Sequence, residues 1–199
     1  PKVCRYLDIP FQHAAPSVVR GMRRGLTGRR ALRLLERIRK ALPGVALRTS
    51  VIVGFPGEGR PEFASLLAFV REAAFDHLGV FAYSREPGTP AFDLGDPVPA
   101  AVKESRRKRI LEAQAAISAR RLSGMVGRTV EVNVDGPWEK SERLLVGRTR
   151  GQAPEVDGVV LIDRPPAWTP AAEPIVSVEI THSDVYDLHG RIAPRAAGL

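Results

Sequence analysis

Three short segments hold residue types that could bind and orient a small molecule. They are Asp8-Ile9-Pro10-Phe11-Gln12-His13, the stretch from Ser50 through Gly54-Phe55-Pro56-Gly57 to Glu58, and Tyr83-Ser84-Arg85-Glu86-Pro87-Gly88-Thr89-Pro90. Gln12 and His13 offer donors and acceptors. Gly54 and Gly57 let backbone approach a ligand closely. Glu58 has the carboxylate to hold a ribose or an amine. Ordinary turns between strands and helices look similar, so these segments gain weight only from the elements that position them.

Each segment follows an apolar run. Residues 3–9, 45–53 and 78–83 read as strands, and Ser50-Val51-Ile52-Val53 has the β-branched character of a strand covered on both faces. Residues 16–22 read as a short helix. Residues 31–42 form a clearer one, with Leu32, Leu35, Ile38 and Leu42 at helical spacing, Thr27 as N-cap and Pro43-Gly44 as the stop. Pro61 suits the first turn of another helix, whose stripe is Phe63, Leu67, Val70 and Ala74. Strand–helix alternation with short links predicts parallel βα units, with ligands beyond the carboxyl ends of the strands. The three segments should therefore meet on one rim. Three strands close no barrel and leave an edge to be covered.

Residues 99–121 read as a long helix with Val102, Ile110, Gln114 and Ile117 along one side. From residue 124 the pattern changes to short strands. Thr129 to Val134 alternates and a turn is expected at Asp135-Gly136; residues 144–147, 158–162, 175–180 and 185–188 follow. These predict a small antiparallel β-barrel. The expected division is 1–121, 122–192 and a tail at 193–199.

Charge and aromatic content change near the same boundary. The 199 residues carry a net +8, but residues 1–120 hold 21 basic against 11 acidic residues, and residues 121–199 hold 9 against 11. The excess lies between Arg20 and Lys40 and in Arg106-Arg107-Lys108-Arg109, where it reads as solvated helix faces able to attract polyanions. All seven Phe precede residue 93, and only Trp138, Trp168 and Tyr186 are aromatic after residue 120.

Several classes are excluded. One cysteine allows no internal disulfide and no site built from several cysteines of this chain. Cys4, in an apolar stretch, is expected to be buried. His77 is expected on the surface. His182 and His189 have no cysteine partners, so no metal ligand is assigned. No Gly-x-Ser-x-Gly, GxGxxG or P-loop appears, no apolar stretch is long enough to span a bilayer, and the first residues do not resemble a signal peptide. No catalytic residue is assigned.

The same three segments carry a family resemblance. Tyr6-Leu7-Asp8-Ile9-Pro10-Phe11-Gln12-His13, Arg48-Thr49-Ser50-Val51-Ile52-Val53-Gly54-Phe55-Pro56-Gly57-Glu58 and Phe81-Ala82-Tyr83-Ser84-Arg85-Glu86-Pro87-Gly88-Thr89-Pro90-Ala91 resemble the last three strands of the radical S-adenosylmethionine methylthiotransferases. Residues 124–192 resemble their TRAM domain, an OB-like barrel, most tellingly in Val146-Gly147-Arg148 and Ala153-Pro154-Glu155-Val156-Asp157-Gly158. Pro10-Phe11-Gln12-His13 and Tyr186-Asp187-Leu188-His189-Gly190 resemble the branch that modifies a ribosomal protein rather than the branch that modifies tRNA. An acidic barrel poor in aromatics also suits a basic protein better than RNA.

The resemblance implies an α/β fold: the C-terminal half of a radical-enzyme partial (β/α) barrel followed by TRAM. It implies a cytoplasmic enzyme that uses S-adenosylmethionine and two [4Fe-4S] clusters to methylthiolate an aspartate β-carbon of a small-subunit ribosomal protein. It implies Gln12, Arg48, Ser50 and the Gly54 backbone as the lining of the S-adenosylmethionine side. The family's six cluster-ligating cysteines are missing, which makes the chain a C-terminal portion, inactive alone, with both clusters held elsewhere. The pattern ending in Glu58 is one residue out of step with the usual motif, which weakens Glu58 as a ligand. A tRNA-methylthiolating homologue using the Arg20–Lys40 face for phosphates, and a non-catalytic RNA- or protein-binding module, are the alternatives.

Overall fold

The computed structural model describes residues 3–165 and 174–194. The first part alternates strand and helix: β1 (Tyr6–Asp8), α1 (Pro16–Gly21), α2 (Gly28–Ala41), β2 (Ala46–Val53), α3 (Arg60–Ala73) and β3 (His77–Ala82). A 3-10 turn at Phe92–Leu94 leads to α4 (Ala100–Ser123). The sheet order is β1-β2-β3. β2 and β3 run parallel, with Arg48 opposite His77, Ser50 opposite Gly79 and Ile52 opposite Phe81. The segment after β1 continues alongside β2, bridging Gln12 to Val51 in parallel.

The core of this part is apolar and aromatic. Leu47, Val51 and Val53 from β2 bury against Phe63, Leu66, Phe69 and Val70 of α3 and Leu35 of α2. Phe11, Phe69 and Phe75 contact one another with ring centroids 5.6 to 6.0 Å apart, at the separations aromatic pairs favour. Only one face of β2 is packed in this way. Leu47, Thr49, Val51 and Val53 are buried, while Arg48, Ser50 and Ile52 are half-buried. The strand is thus not covered on both faces by the described residues. Its β-branched run at 51–53 reflects strand propensity more than two-sided burial.

The second part is a closed barrel of β4 (Thr129–Trp138), β5 (Ser141–Arg148), β6 (Val160–Asp163), β7 (Ile175–Ser183) and β8 (Leu188–Ile192). Around it the order is β4-β5-β6-β8-β7, closed by β7 against β4. Four of the neighbouring pairs are antiparallel, and β6 with β8 is parallel. Val132, Leu145, Val160, Ile162, Val178, Ile180 and Leu188 fill the interior, with Leu122 and Met125 packed against them.

Several local expectations change. β4 runs straight through Asp135-Gly136, where the register shifts; the pair makes a β-bulge, not a turn. The last strand starts at Leu188 rather than residue 185. Cys4 lies before β1 and is exposed, because the strand is only three residues long. His77 is half-buried within β3. The tail from residue 195 onward lies outside the described residues. The chain divides into two compact units, Leu7–Ile117 and Pro1–Tyr6 with Ser118–Leu199.

Candidate functional site

The loops after β2 and β3 are tied to α4 by buried polar bonds, and His13 of the loop after β1 is buried beside them. Glu58, in the loop after β2, is 4% exposed. Its Oε2 accepts from the Gly54 N–H at 2.8 Å, and its Oε1 accepts from Arg106 Nη1 at 2.7 Å. His13, in the loop after β1, is buried, and its Nδ1 accepts from the Ala15 N–H. The proton of a neutral ring therefore sits on Nε2, which lies 3.3 Å from Glu58 Oε2 but outside hydrogen-bond geometry. Lys103 reaches the third loop: its Nζ donates to the Tyr83 carbonyl at 2.8 Å and pairs with Asp96.

Lys103 and Arg106 are thus the residues that sequence reasoning missed. They lie three apart on α4, and so on one face of the helix. The buried stripe of α4 includes Lys103, Ile110, Gln114 and Ile117, while Val102 is 37% exposed. The heptad-like spacing 103, 106, 110, 114, 117 was the available signal. It was hidden because two of its members are cationic.

The expected rim exists, but it is not hollow. Ala15, Val18, Phe55 and Tyr83 form a buried cluster drawn from all three strand-end loops, with Phe55 and Tyr83 edge to face at 5.2 Å. The open surface is the adjoining sheet face. There Arg48 donates to Asp8 Oδ2 at 2.7 Å, and Ser50 sits opposite Gly79, next to Ile52 and the 57%-exposed ring of Phe81. A Cβ on Gly79 would meet the Phe81 ring at 3.2 Å and Ser50 Oγ at 3.4 Å, so the glycine keeps a recess beside the hydroxyl.

The four sequence candidates fall into different settings. Arg48 and Ser50 share this open face. Gln12 holds φ 67, an uncommon backbone for a non-glycine residue, fixed by its N–H to the Ser50 carbonyl and its carbonyl to the Ile52 N–H. Gly54 has φ 78, and a Cβ there would run into the Lys103 side chain. Its N–H is already given to Glu58. A polar ligand fits Arg48 and Ser50; the Gly54 amide has nothing left to donate. Among the described residues no group of three or more His, Cys, Asp or Glu could hold a metal. The one cysteine, exposed ahead of β1, offers no set of thiolates for an iron–sulfur cluster.

Residues 126–193, which hold the closed barrel, match the TRAM domain, and a three-stranded βα sheet precedes them in sequence. Over 195 residues, 98% of the chain, it is 48% identical to the ribosomal protein uS12 methylthiotransferase RimO of Anaeromyxobacter sp. (strain K), covering 41% of that protein. The RimO of Pelobacter propionicus is 46% identical over 98% of the chain and 43% of its own length. That of Geobacter sulfurreducens is 46% identical over 96% of the chain and 42% of its own length. The chain spans about two-fifths of the length of these relatives. Among solved structures, coproporphyrinogen III oxidase from Escherichia coli, a radical S-adenosylmethionine enzyme, overlaps 59% of the chain and 27% of its own at 22% identity. Its TM-score of 0.42 is too slight to bear on the fold.

Proposed function

We propose that the chain is part of a radical S-adenosylmethionine enzyme that methylthiolates an aspartate β-carbon of the small-subunit ribosomal protein uS12 in the cytoplasm. The observation that carries this reading is identity of 42–48% to proteins of that name along almost the whole chain. The acidic balance of residues 121–199 supports a basic protein as substrate. No helix among the described residues is long and apolar enough to cross a membrane.

In this reading Arg48 and Ser50 hold S-adenosylmethionine on the open sheet face, with Gln12 at its edge. Bound there, and with a [4Fe-4S] cluster held outside this chain, the cofactor would supply carbon-radical chemistry. Asp8 orients the Arg48 guanidinium through their 2.7 Å bond. Glu58, Arg106 and Lys103 keep the loops fixed, so that the face is set before the ligand arrives. The half-buried apolar surface of Ile52 and the exposed ring of Phe81 would shed water from it.

The test uses the complete protein with reconstituted clusters, S-adenosylmethionine and purified uS12. Mass spectrometry should find one methylthio group on one aspartate. Methylthiolated tRNA with unmodified uS12 would move the chain to the tRNA branch. No modification of either would sink the reading.

A further inference from the structure

The outer surface of α3 and α4 forms a groove of about 630 Å³ that the proposed chemistry does not use. Small or apolar residues line it, among them Ala64, Ala68 and Ala101. Its walls are arginines: Arg60 and Arg71 from α3, Arg106 and Arg109 from α4. No carboxylate lines it. Two nearby acids are engaged away from the groove, and the buried Glu58 offsets the charge of its Arg106 wall. Glu62 closes the first turn of α3 on the Gly59 N–H, Glu104 pairs with Arg107, and Glu58 takes Arg106. Arg60, Arg71 and Arg109 are exposed. Arg109 is held over the Phe63 ring, 4.9 Å from its centroid, which fixes one wall.

We propose that this groove binds the phosphate backbone of RNA, and that the enzyme therefore meets its substrate as a ribonucleoprotein rather than as free protein. Rigid, permanently charged guanidinium forks suit phosphate oxygens. A lining with three exposed arginines and no carboxylate is repelled by a basic ribosomal protein and attracted by the RNA that such proteins bind. The walls expose no aromatic ring for stacking bases, so the contact reads backbone and not sequence. The second half of the proposal rests on the function proposed above; the RNA contact itself does not.

The test measures binding of the complete protein to purified small-subunit ribosomal RNA across a salt series. R60Q/R71Q/R109Q should weaken binding roughly tenfold or more at about 0.1 M salt and reduce the log–log salt slope by about 2. Ala68→Glu, which puts a carboxylate in the groove lining, should weaken binding in the same direction with a slope change nearer about 1. Both variants should keep wild-type thermal unfolding and wild-type methylthiolation of a short uS12 peptide. Unchanged RNA affinity in both variants would overturn the groove. So would tighter binding of a polyglutamate peptide than of RNA, lost in the same variants, since that would assign the groove to an acidic protein. Absence of methylthiolation by the wild type would sink the proposed function while leaving the RNA result to be read by itself.

Discussion

Arg106 Nη1 lies 2.7 Å from Glu58 Oε1, and the Glu58 side chain has no exposure to solvent. The same nitrogen donates to the Glu58 main-chain carbonyl at 2.9 Å. One guanidinium therefore fixes both the side chain and the backbone of the loop after β2. Lys103, one turn earlier, fixes the loop after β3. The rim is ordered by a helix that follows it in sequence.

Removing the cation leaves a buried carboxylate with the Gly54 N–H as its one good donor. Arg106→Met should destabilise the chain by about 3 kcal/mol. Glu58→Gln with Arg106→Met should cost less than the sum of the single changes, because neither then strands a charge. Urea unfolding of the four proteins in the cycle checks this, and strict additivity would show that the pair is not coupled.

Gly54 and Gly57 separate two costs of adding a Cβ. Both have positive φ, 78 and 89. A methyl at Gly57 meets nothing within 4 Å, whereas one at Gly54 meets the Lys103 stem. Gly57→Ala should cost about 1 kcal/mol from backbone conformation alone. Gly54→Ala should cost clearly more, roughly 2–3 kcal/mol, with displacement of Lys103 from Tyr83. Equal thermal shifts in the two variants would contradict this.

Periodicity made the elements legible wherever one physical demand dominated. Phe63, Leu67 and Val70 marked the buried side of α3, and Thr129 to Val134 marked β4, because burial selects residue type at a fixed spacing. The site was legible less evenly. Arg48 and Ser50 were indicated by the family resemblance, and strand alternation agrees with it by putting 48 and 50 on one face, whereas the Asp8–Arg48 pair shows only in the structure. Glu58 could not be placed, since a loop carboxylate looks the same in sequence whether it awaits a ligand or is consumed by Arg106. The bulge at Asp135-Gly136 imitated a hairpin turn because a glycine beside an aspartate suits both. Its actual role shows only in the partner strand.

That bulge carries a pH signature. Arg148 Nε and Nη2 grip both oxygens of Asp135 at 2.8 and 2.7 Å. This hydrogen bonding, opposed by some desolvation, holds the Asp135 carboxyl below its ordinary range. A carboxyl depressed on folding adds stability above its unfolded pKa and loses it as pH falls through the folded value. Arg148→Gln should therefore cost up to about 1 kcal/mol at neutral pH, both groups being partly exposed. The difference from wild type should shrink as the pH falls below about 4. Chemical unfolding across that range checks it; a gap that widens on acidification would reverse the sign.

The recess beside Ser50 gives the most direct test of where a ligand would lie. Gly79 stands opposite Ser50 in the β2–β3 register, and an added methyl would sit within 3.4 Å of both the hydroxyl and the Phe81 ring. The flanking ring is largely exposed and free to shift, so Gly79→Ala should leave stability within about 1 kcal/mol of wild type. Ser50→Ala should be similarly mild, since it removes one hydroxyl from a half-buried position. Under the proposed function both should still weaken S-adenosylmethionine binding to the complete protein, by roughly tenfold for the filled recess and somewhat less for the lost hydroxyl. Equilibrium dialysis with labelled S-adenosylmethionine reads this without relying on turnover. Wild-type affinity in both variants, with Arg48→Gln also silent, would remove the cofactor from this face and leave the Asp8–Arg48 pair as a structural tie between β1 and β2.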